Sequence, residues 1–122
     1  MKKLNLIITL IGLTTTMMLA NVTNNEKPTA EDRATFLTNQ MKDVLKLKED
    51  QIDKVQEINL KSAQEIDKIA VQESSNLAKL NAVRAVEDQK AKDLKAVLSK
   101  KQYKKYTQIR QKLKEKVRNQ LM

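Results

Sequence analysis

Apolar side chains recur every three or four residues along most of the chain after residue 29, as the buried face of an α-helix requires. There are two such series, and their members are Ile52, Val55, Ile58, Ile66 and Ile69, then Leu77, Leu80, Val83, Val86, Leu94 and Val97. The chain has no sustained alternation of apolar and polar residues and no Asn-Gly or Asp-Gly turn, so the signals of strands are missing. The pattern predicts an all-α protein.

The two series lose phase at residues 73–76, which carry cap-type residues and no apolar side chain. This favours a turn, and therefore an antiparallel helical hairpin. The alternative is one continuous helix over residues 49–97, about 74 Å long at the usual rise per residue. We predict the hairpin. Pairs at i,i+4 such as Asp88 and Lys92 have the orientation that supports a helix by tenths of a kcal/mol.

The first twenty residues have the pattern of a secretory signal peptide. Lys2 and Lys3 supply the positive start, an apolar stretch follows, and Ala20 ends a site suitable for cleavage. We therefore predict export to the periplasm with cleavage near Ala20. Two alternatives stay open: a cut nearby, because Met18 is larger than the small residue preferred there, and an uncleaved membrane anchor.

The remaining chain divides into a short leader and one domain. Residues 21–28 are polar and end in Pro28, which predicts a disordered leader. Residues 29–122 contain neither Gly nor Pro and are predicted to form a single all-helical domain. Its first helix, of about 17 residues, is predicted to begin after a Thr29 cap, with two acids in the positively polarised first turn.

Composition excludes most kinds of chemistry. There is no Cys and no His, which removes disulfides, thiolate nucleophiles, the commonest general base and the commonest transition-metal ligand. The one glycine, Gly12, lies in the N-terminal apolar run, so no glycine is left for a phosphate-binding loop or a nucleophile elbow. The carboxylates Glu49, Asp50 and Asp53 lie where a helix dipole already accounts for them. We predict no enzymatic activity, no cofactor and no specific metal site.

The positive charge is concentrated at the C-terminal end. The chain carries 24 basic and 15 acidic side chains, yet residues 99–122 alone have a net charge of +8 and residues 21–98 a net charge of −1. The predicted last helix has an apolar stripe, Tyr103, Tyr106, Ile109, Leu113, Val117 and Leu121. Four lysines next to this stripe are candidate binding residues: Lys100, Lys101, Lys104 and Lys105.

Two interpretations of these lysines stay open. The first is a solvated face of a helix that packs through its stripe, and the second is an electrostatic surface for acidic partners. Such partners are acidic segments of unfolded proteins, anionic lipid headgroups or nucleic acid. Nucleic acid fits least, because the chain is predicted to be exported and tyrosines within an apolar stripe are more often core residues than stacking platforms.

The predicted core is thin. Leu, Ile, Val and Phe make up 24 of residues 21–122, on helices that are long for the size of the domain. A monomer of this size has little interior. We therefore predict a homodimer in which a partner chain covers part of each apolar stripe.

A short motif occurs twice, 51 residues apart. Leu47 and Gln51 in the first copy correspond to Leu98 and Gln102 in the second. In each copy a leucine precedes the predicted cap residue, and a glutamine three residues after the cap is placed to accept from the cap's backbone N–H. Ser99 completes this capping box in the second copy, whereas the first has a lysine at the cap position.

The two copies resemble the LTxxQ motif of the periplasmic Spy/CpxP family, in which it also occurs twice. The resemblance covers roughly residues 30–120 and implies a thin, curved, antiparallel all-helical dimer. It also implies an ATP-independent chaperone or envelope-stress factor.

We therefore predict a protein that binds unfolded or partly folded proteins and limits their aggregation under envelope stress. The alternatives are a structural or regulatory envelope-stress protein without general chaperone activity, and a peripheral binder of anionic lipid.

Overall fold

The computed structural model of the protein describes residues 27–72 and 75–121, and these residues contain four helices and no strand. The helices are α1 (Ala30–Leu45), α2 (Glu49–Gln72), α3 (Asn76–Val97) and α4 (Lys100–Leu121). The predicted all-α fold is confirmed. The predicted signal peptide and the first six residues of the predicted leader lie outside the described residues, as do the side chains of Val117 and Leu121.

Helix α1 is capped at both ends. The Thr29 hydroxyl accepts from the N–H of Asp32 (3.1 Å), and the Asp32 carboxylate accepts from the N–H of Thr29 (3.0 Å). The backbone hydrogen bond from Thr29 lowers the pKa of Asp32. At the other end, Lys46 adopts the left-handed conformation (φ 56°, ψ 55°) that glycine usually takes after a helix. A side chain there costs roughly 1–2 kcal/mol.

The predicted helical hairpin is confirmed, and the single-helix alternative over residues 49–97 is wrong. Helix α2 ends at Gln72, and α3 begins at Asn76 with Ser75 as its cap. The Ser75 hydroxyl accepts from the N–H of Ala78 (3.1 Å). A polar cap residue thus starts α3 where the apolar series loses phase.

Helix α1 packs antiparallel against α2, with side-chain contacts that reach as far as Asp67. The Asn59 amide donates to the Thr38 hydroxyl (3.0 Å), and both side chains are buried. Arg33 donates to the Ala63 carbonyl (3.3 Å) and forms an ion pair with Asp67. Because α1 begins only three residues before Arg33, it leaves the last turn of α2 uncovered.

Helix α4 runs back along α3. Arg110 of α4 forms an ion pair with Asp88 of α3, and the Lys95 ammonium lies 5.9 Å from the centroid of the Tyr103 ring. The hydrogen bond from Arg110 lowers the pKa of Asp88. The expected partner Lys92 also lowers the pKa of Asp88 through charge attraction, while the ion pair at contact distance is the one with Arg110.

The core lies where all four helices meet. Its buried members are Leu37, Met41, Leu45, Leu47, Val55, Ala91, Leu94, Leu98, Tyr106, Ile109 and Leu113. The predicted stripe of α4 therefore packs inward at Tyr106, Ile109 and Leu113. Tyr106 is fully buried, and its hydroxyl has no hydrogen-bond partner within the described part of the chain. Burial raises the pKa of Tyr106 well above its usual value.

The other end of the α2–α3 hairpin has no core of its own. No described side chain in residues 64–89 is buried. Three large apolar side chains are exposed there: Val71 (83%), Leu77 (67%) and Leu80 (46%). We call these three residues the apolar tip. None of the described helices is long and apolar enough to cross a membrane.

Candidate functional site

The two motif copies meet at the same end of the molecule through their glutamines. The Gln51 amide nitrogen donates to the Gln102 amide oxygen (2.8 Å), and the Gln102 nitrogen donates back to the Gln51 oxygen (3.0 Å). We call these two residues the glutamine pair. The pair joins the first turns of α2 and α4, which are separated by 51 residues in the sequence.

Each glutamine also caps its own helix. The Gln51 oxygen accepts from the N–H of Lys48 (2.9 Å), and the Gln102 oxygen accepts from the N–H of Ser99 (2.9 Å). The Ser99 hydroxyl accepts in return from the N–H of Gln102 (3.1 Å), which completes a capping box. The lysine side chain at position 48 has no acceptor atom, so the first copy retains only half of the box.

The nitrogen of each glutamine reaches across to the helix that precedes the other motif. Gln51 donates to the Val97 carbonyl at the end of α3 (3.1 Å). Gln102 donates to the carbonyls of Leu45 and Lys46 at the end of α1 (3.2 Å each). Lys46 and Val97 are separated by the same 51 residues as the two glutamines. These equivalent contacts define a local two-fold relation around the glutamine pair.

The motif leucines lie beneath this network. Leu47 and Leu98 are both buried in the core, and Ile52 and Tyr103 pack against the same cluster. The glutamine pair and the motif leucines form a junction, which combines an apolar base with hydrogen bonds to four helix ends. Its groups are amides, a hydroxyl and backbone atoms. Within the described residues there is also no cluster of three or more His, Cys, Asp or Glu side chains suited to a metal ion. The hydrogen bonds of the junction hold the ends of the four helices together.

The candidate lysines lie at the start of α4, next to the glutamine pair. Lys100, Lys101, Lys104 and Lys105 are all exposed. None of them takes part in the ion pairs of the described residues, which join Arg33 to Asp67, Lys90 to Glu87 and Arg110 to Asp88. The positive charge of the helix start is therefore exposed to solvent.

The apolar tip lies far from these lysines. Gln51 and Val71 are twenty residues apart on α2, which places the tip about 30 Å from the glutamine pair. Sequence reasoning identified Leu77 and Leu80 as members of an apolar stripe but did not identify them as exposed. Their exposure depends on how the helices pack around the hairpin, and neighbouring residues in the sequence do not determine that packing.

The glutamine pairing was also missed from the sequence. The signal available was the equal spacing of 51 residues between the leucines and between the glutamines of the two motif copies. Equal spacing in two helix–turn–helix units is compatible with a two-fold arrangement that brings equivalent residues together. The capping geometry was predicted because it depends only on neighbouring residues.

Comparison with known proteins gives one family. The family described as "Domain of unknown function (DUF4890)" matches residues 20–106. This range includes α1, α2, α3, both motif copies and the four candidate lysines. No curated protein and no solved structure matches the chain.

Proposed function

The chain belongs to the DUF4890 family, and we propose that it is an ATP-independent, chaperone-like protein that binds unfolded or partly folded proteins and limits their aggregation. The predicted signal peptide supports a role in the periplasm, and the role under envelope stress is what the family resemblance implies. The repeated motif supports the proposal, since it resembles the LTxxQ motif of the Spy/CpxP family.

The apolar tip is the observation that carries the proposal. Large apolar side chains of an amphipathic helix normally face the core, whereas Val71, Leu77 and Leu80 are exposed to solvent where α2 ends and α3 begins. Leu77 and Leu80 are three residues apart on one face of α3, and neighbouring exposed apolar groups of this kind mark contacts with other molecules. A shallow surface of this kind suits many different unfolded chains, because it needs no complementary pocket.

The lysines at the start of α4 supply the second element. Exposed like charges attract an oppositely charged segment over the Debye length, about 10 Å at 0.1 M salt, and so accelerate encounter. Apolar contact at the tip then slows release of the client. In this scheme recruitment and retention depend on different residues.

Aggregation suppression without nucleotide tests the proposal. Several unrelated proteins are denatured and diluted into buffer with the purified protein, and light scattering is followed. We expect suppression of all of them, and weaker suppression by a triple variant with Val71→Ser, Leu77→Ser and Leu80→Ser. Since these side chains are exposed, the variant should keep wild-type helicity by circular dichroism.

The matched control is a triple serine variant of exposed residues that lie outside the tip, Lys42→Ser, Lys61→Ser and Gln108→Ser. It should suppress aggregation like the wild type. Failure of the wild-type protein to protect any client, at several-fold molar excess, contradicts the proposal.

Two alternatives have their own tests. A regulatory envelope protein binds one partner, so protection of one client and of no other supports that role. A lipid-surface protein floats with anionic vesicles and does not float with neutral ones. The apolar face of α4 disfavours the lipid role, because Tyr106, Ile109 and Leu113 are buried in the core and are not free to enter a bilayer.

A further inference from the structure

Helix α4 supplies one side of the buried apolar cluster. Tyr106, Ile109 and Leu113 of α4 pack in this cluster with side chains of α1 and α3. The members on α1 are Leu37, Met41 and Leu45, and those on α3 are Ala91 and Leu94. The closed bundle therefore hides an apolar face of α1 and α3 beneath α4, and this face is separate from the apolar tip.

The interior between α3 and α4 also contains polar groups without hydrogen bonds. Lys90 of α3 is 2% exposed, and its ammonium lies 3.3 Å from a carboxylate oxygen of Glu87. That oxygen and the Tyr106 hydroxyl are buried, and neither has a hydrogen-bond partner within the described part of the chain. Burial, followed by the charge of Glu87, raises the pKa of Tyr106, so Glu87 and Tyr106 lie near each other across the two helices.

The interior between α1 and α2, by contrast, is joined by hydrogen bonds. The Asn59 amide donates to the Thr38 hydroxyl, which donates in turn to the Ala34 carbonyl (2.8 Å). The Asn59 oxygen is a third buried atom without a partner in the described residues, but the nitrogen of the same amide keeps its bond to α1. Side-chain hydrogen bonds between the described parts of α3 and α4 are confined to the exposed pair of Arg110 and Asp88. The interior contact of α4 with α3 is therefore apolar.

The buried polar groups lower the stability of the closed position of α4. The Glu87 oxygen and the Tyr106 hydroxyl lose hydrogen bonds to water on burial and gain none within the described residues, and both regain water when α4 moves away. A buried ion pair adds little stability, because desolvation offsets most of its attraction. The closed position is therefore less stable than its apolar contacts alone would make it.

Helix α4 is not well stabilised on its own. Beyond Arg110, Leu113 is the one buried side chain among those that the structure describes. Like charges at i,i+4, such as Lys112 and Lys116, destabilise the helix itself. Most of the stability of a helix within a protein comes from packing, so an undocked α4 frays.

We propose that α4 is a lid that swings out of the bundle about the glutamine pair and uncovers the apolar face of α1 and α3 as a second binding surface for unfolded proteins. The glutamine pair is the pivot, because its hydrogen bonds fasten the first turn of α4 to the end of α1 and the start of α2. The closed lid is an autoinhibitory contact, and a client that binds the open form shifts the population towards it. The client surface rests on the proposed function, whereas the opening of the lid does not.

Hydrogen exchange followed by mass spectrometry tests the opening in the purified protein without client. Amides in the middle of α4 exchange when the helix leaves the bundle and frays. We expect residues 103–113 of α4 to exchange several-fold faster than residues 55–63 of α2. Tyr106→Phe removes the hydroxyl that the closed form leaves without a partner, and it should slow exchange of residues 103–113 about fivefold or more.

Two further variants establish the cause of the opening. Tyr103→Phe is the matched control and should not slow exchange, since Tyr103 is half-buried and its hydroxyl is not among the buried atoms without a partner. Glu87→Leu combined with Lys90→Met replaces the charge pair by apolar side chains and should slow exchange as Tyr106→Phe does. Equal exchange of residues 103–113 and 55–63 in the wild type overturns the lid, and so does unchanged or faster exchange in Tyr106→Phe.

Repeating the exchange with an excess of one of the denatured proteins used for aggregation suppression tests the second surface. The client should accelerate exchange of residues 103–113, because it binds the open form, and should leave residues 55–63 unchanged. Tyr106→Phe should also suppress aggregation less than the wild type and Tyr103→Phe do. Unchanged or slower exchange of residues 103–113 with client overturns the second surface. Failure of the wild type to suppress any aggregation contradicts the proposed function, while the exchange measured without client still reports the opening of the lid.

Discussion

A glutamine side chain is suited to the junction because its amide both accepts and donates. Helix ends leave backbone N–H groups unpaired at the start and carbonyl groups unpaired at the finish. At the junction the oxygens of Gln51 and Gln102 satisfy N–H groups at the starts of α2 and α4. Their nitrogens satisfy carbonyls at the ends of α1 and α3. A glutamate lacks the donor and a leucine lacks both groups.

Replacing one glutamine of the pair should therefore reduce the contribution of the other to the free energy of unfolding. We expect Gln102→Ala to lower the free energy of unfolding by about 2 kcal/mol, because it leaves part-buried partners without hydrogen bonds. Gln51→Ala should act similarly, and the double variant should lose less than the two single losses combined. Urea unfolding of the four proteins measures this coupling. Gln108→Ala, at an exposed position of α4, is the control, and strictly additive losses contradict the pairing.

The two cap positions of the motif make a second comparison. Ser99→Ala removes the hydroxyl that accepts from the N–H of Gln102 and should cost about 1 kcal/mol of unfolding free energy. Lys48→Thr supplies the missing hydroxyl of the first copy and should add up to about 1 kcal/mol. Both are measured by urea unfolding, with Thr107→Ala as a non-cap control on α4. A neutral Ser99→Ala means that the serine does not stabilise the start of α4.

At the scale of the helices, the sequence predicts what neighbouring residues determine. The start of α1 at Thr29, the start of α3 at Ser75 and the start of α4 at Ser99 all follow from short polar side chains that cap a helix. The inward face of α4 follows from its spacing. These features are local, so a single sequence is enough to locate them.

Features that depend on how separate helices pack against each other could not be predicted. Val71 is exposed near the end of α2, beyond the part of that helix against which α1 packs, because α1 begins only at Ala30. The glutamine pair forms because the two helix–turn–helix units meet at their turns, and no neighbouring residue specifies that meeting. The pairing of Asp88 with Arg110 likewise required the register of α3 against α4.

The ion pair between α3 and α4 predicts a dependence of stability on pH. The pKa of Asp88 is lower in the folded protein than in the unfolded chain, where it is about 3.9. Its contribution is therefore present above the unfolded pKa and is lost as the pH falls through the folded pKa. We expect the urea midpoint of the wild type to decrease as the pH is lowered below about 4, and Asp88→Asn to reduce that decrease. Arg110→Gln should act in the same direction, and an unchanged profile in both variants contradicts this role.

At the scale of the whole molecule, the proposed role in the periplasm requires export. The N-terminal pattern predicts that the mature protein begins at or near Asn21. Sequencing the N-terminus of the protein from the periplasmic fraction checks this prediction. Recovery of chains that retain Met1 in the membrane fraction contradicts cleavage and supports the anchor alternative.

The position of the positive charge on the molecule should affect the association rate of clients. Reversing Lys100, Lys101, Lys104 and Lys105 to glutamate changes eight charge units while leaving the buried stripe of α4 in place. The matched control reverses four exposed lysines of α1 and α2, Lys42, Lys54, Lys61 and Lys68. Both variants lose the same net charge, so any difference between them reports where the charge lies.

The most direct measurement is stopped-flow association with one acidic and one basic unfolded client across a salt series. At 0.01 M salt, where the Debye length is about 30 Å, we expect the α4 variant to bind the acidic client several-fold more slowly than the wild type and the control. The basic client should be affected less, and all proteins should converge at 1 M salt. Absence of binding by the wild type contradicts the proposed function. Equal rates for the wild type and the α4 variant at every salt concentration, with both clients, mean that these lysines are only a solvated face.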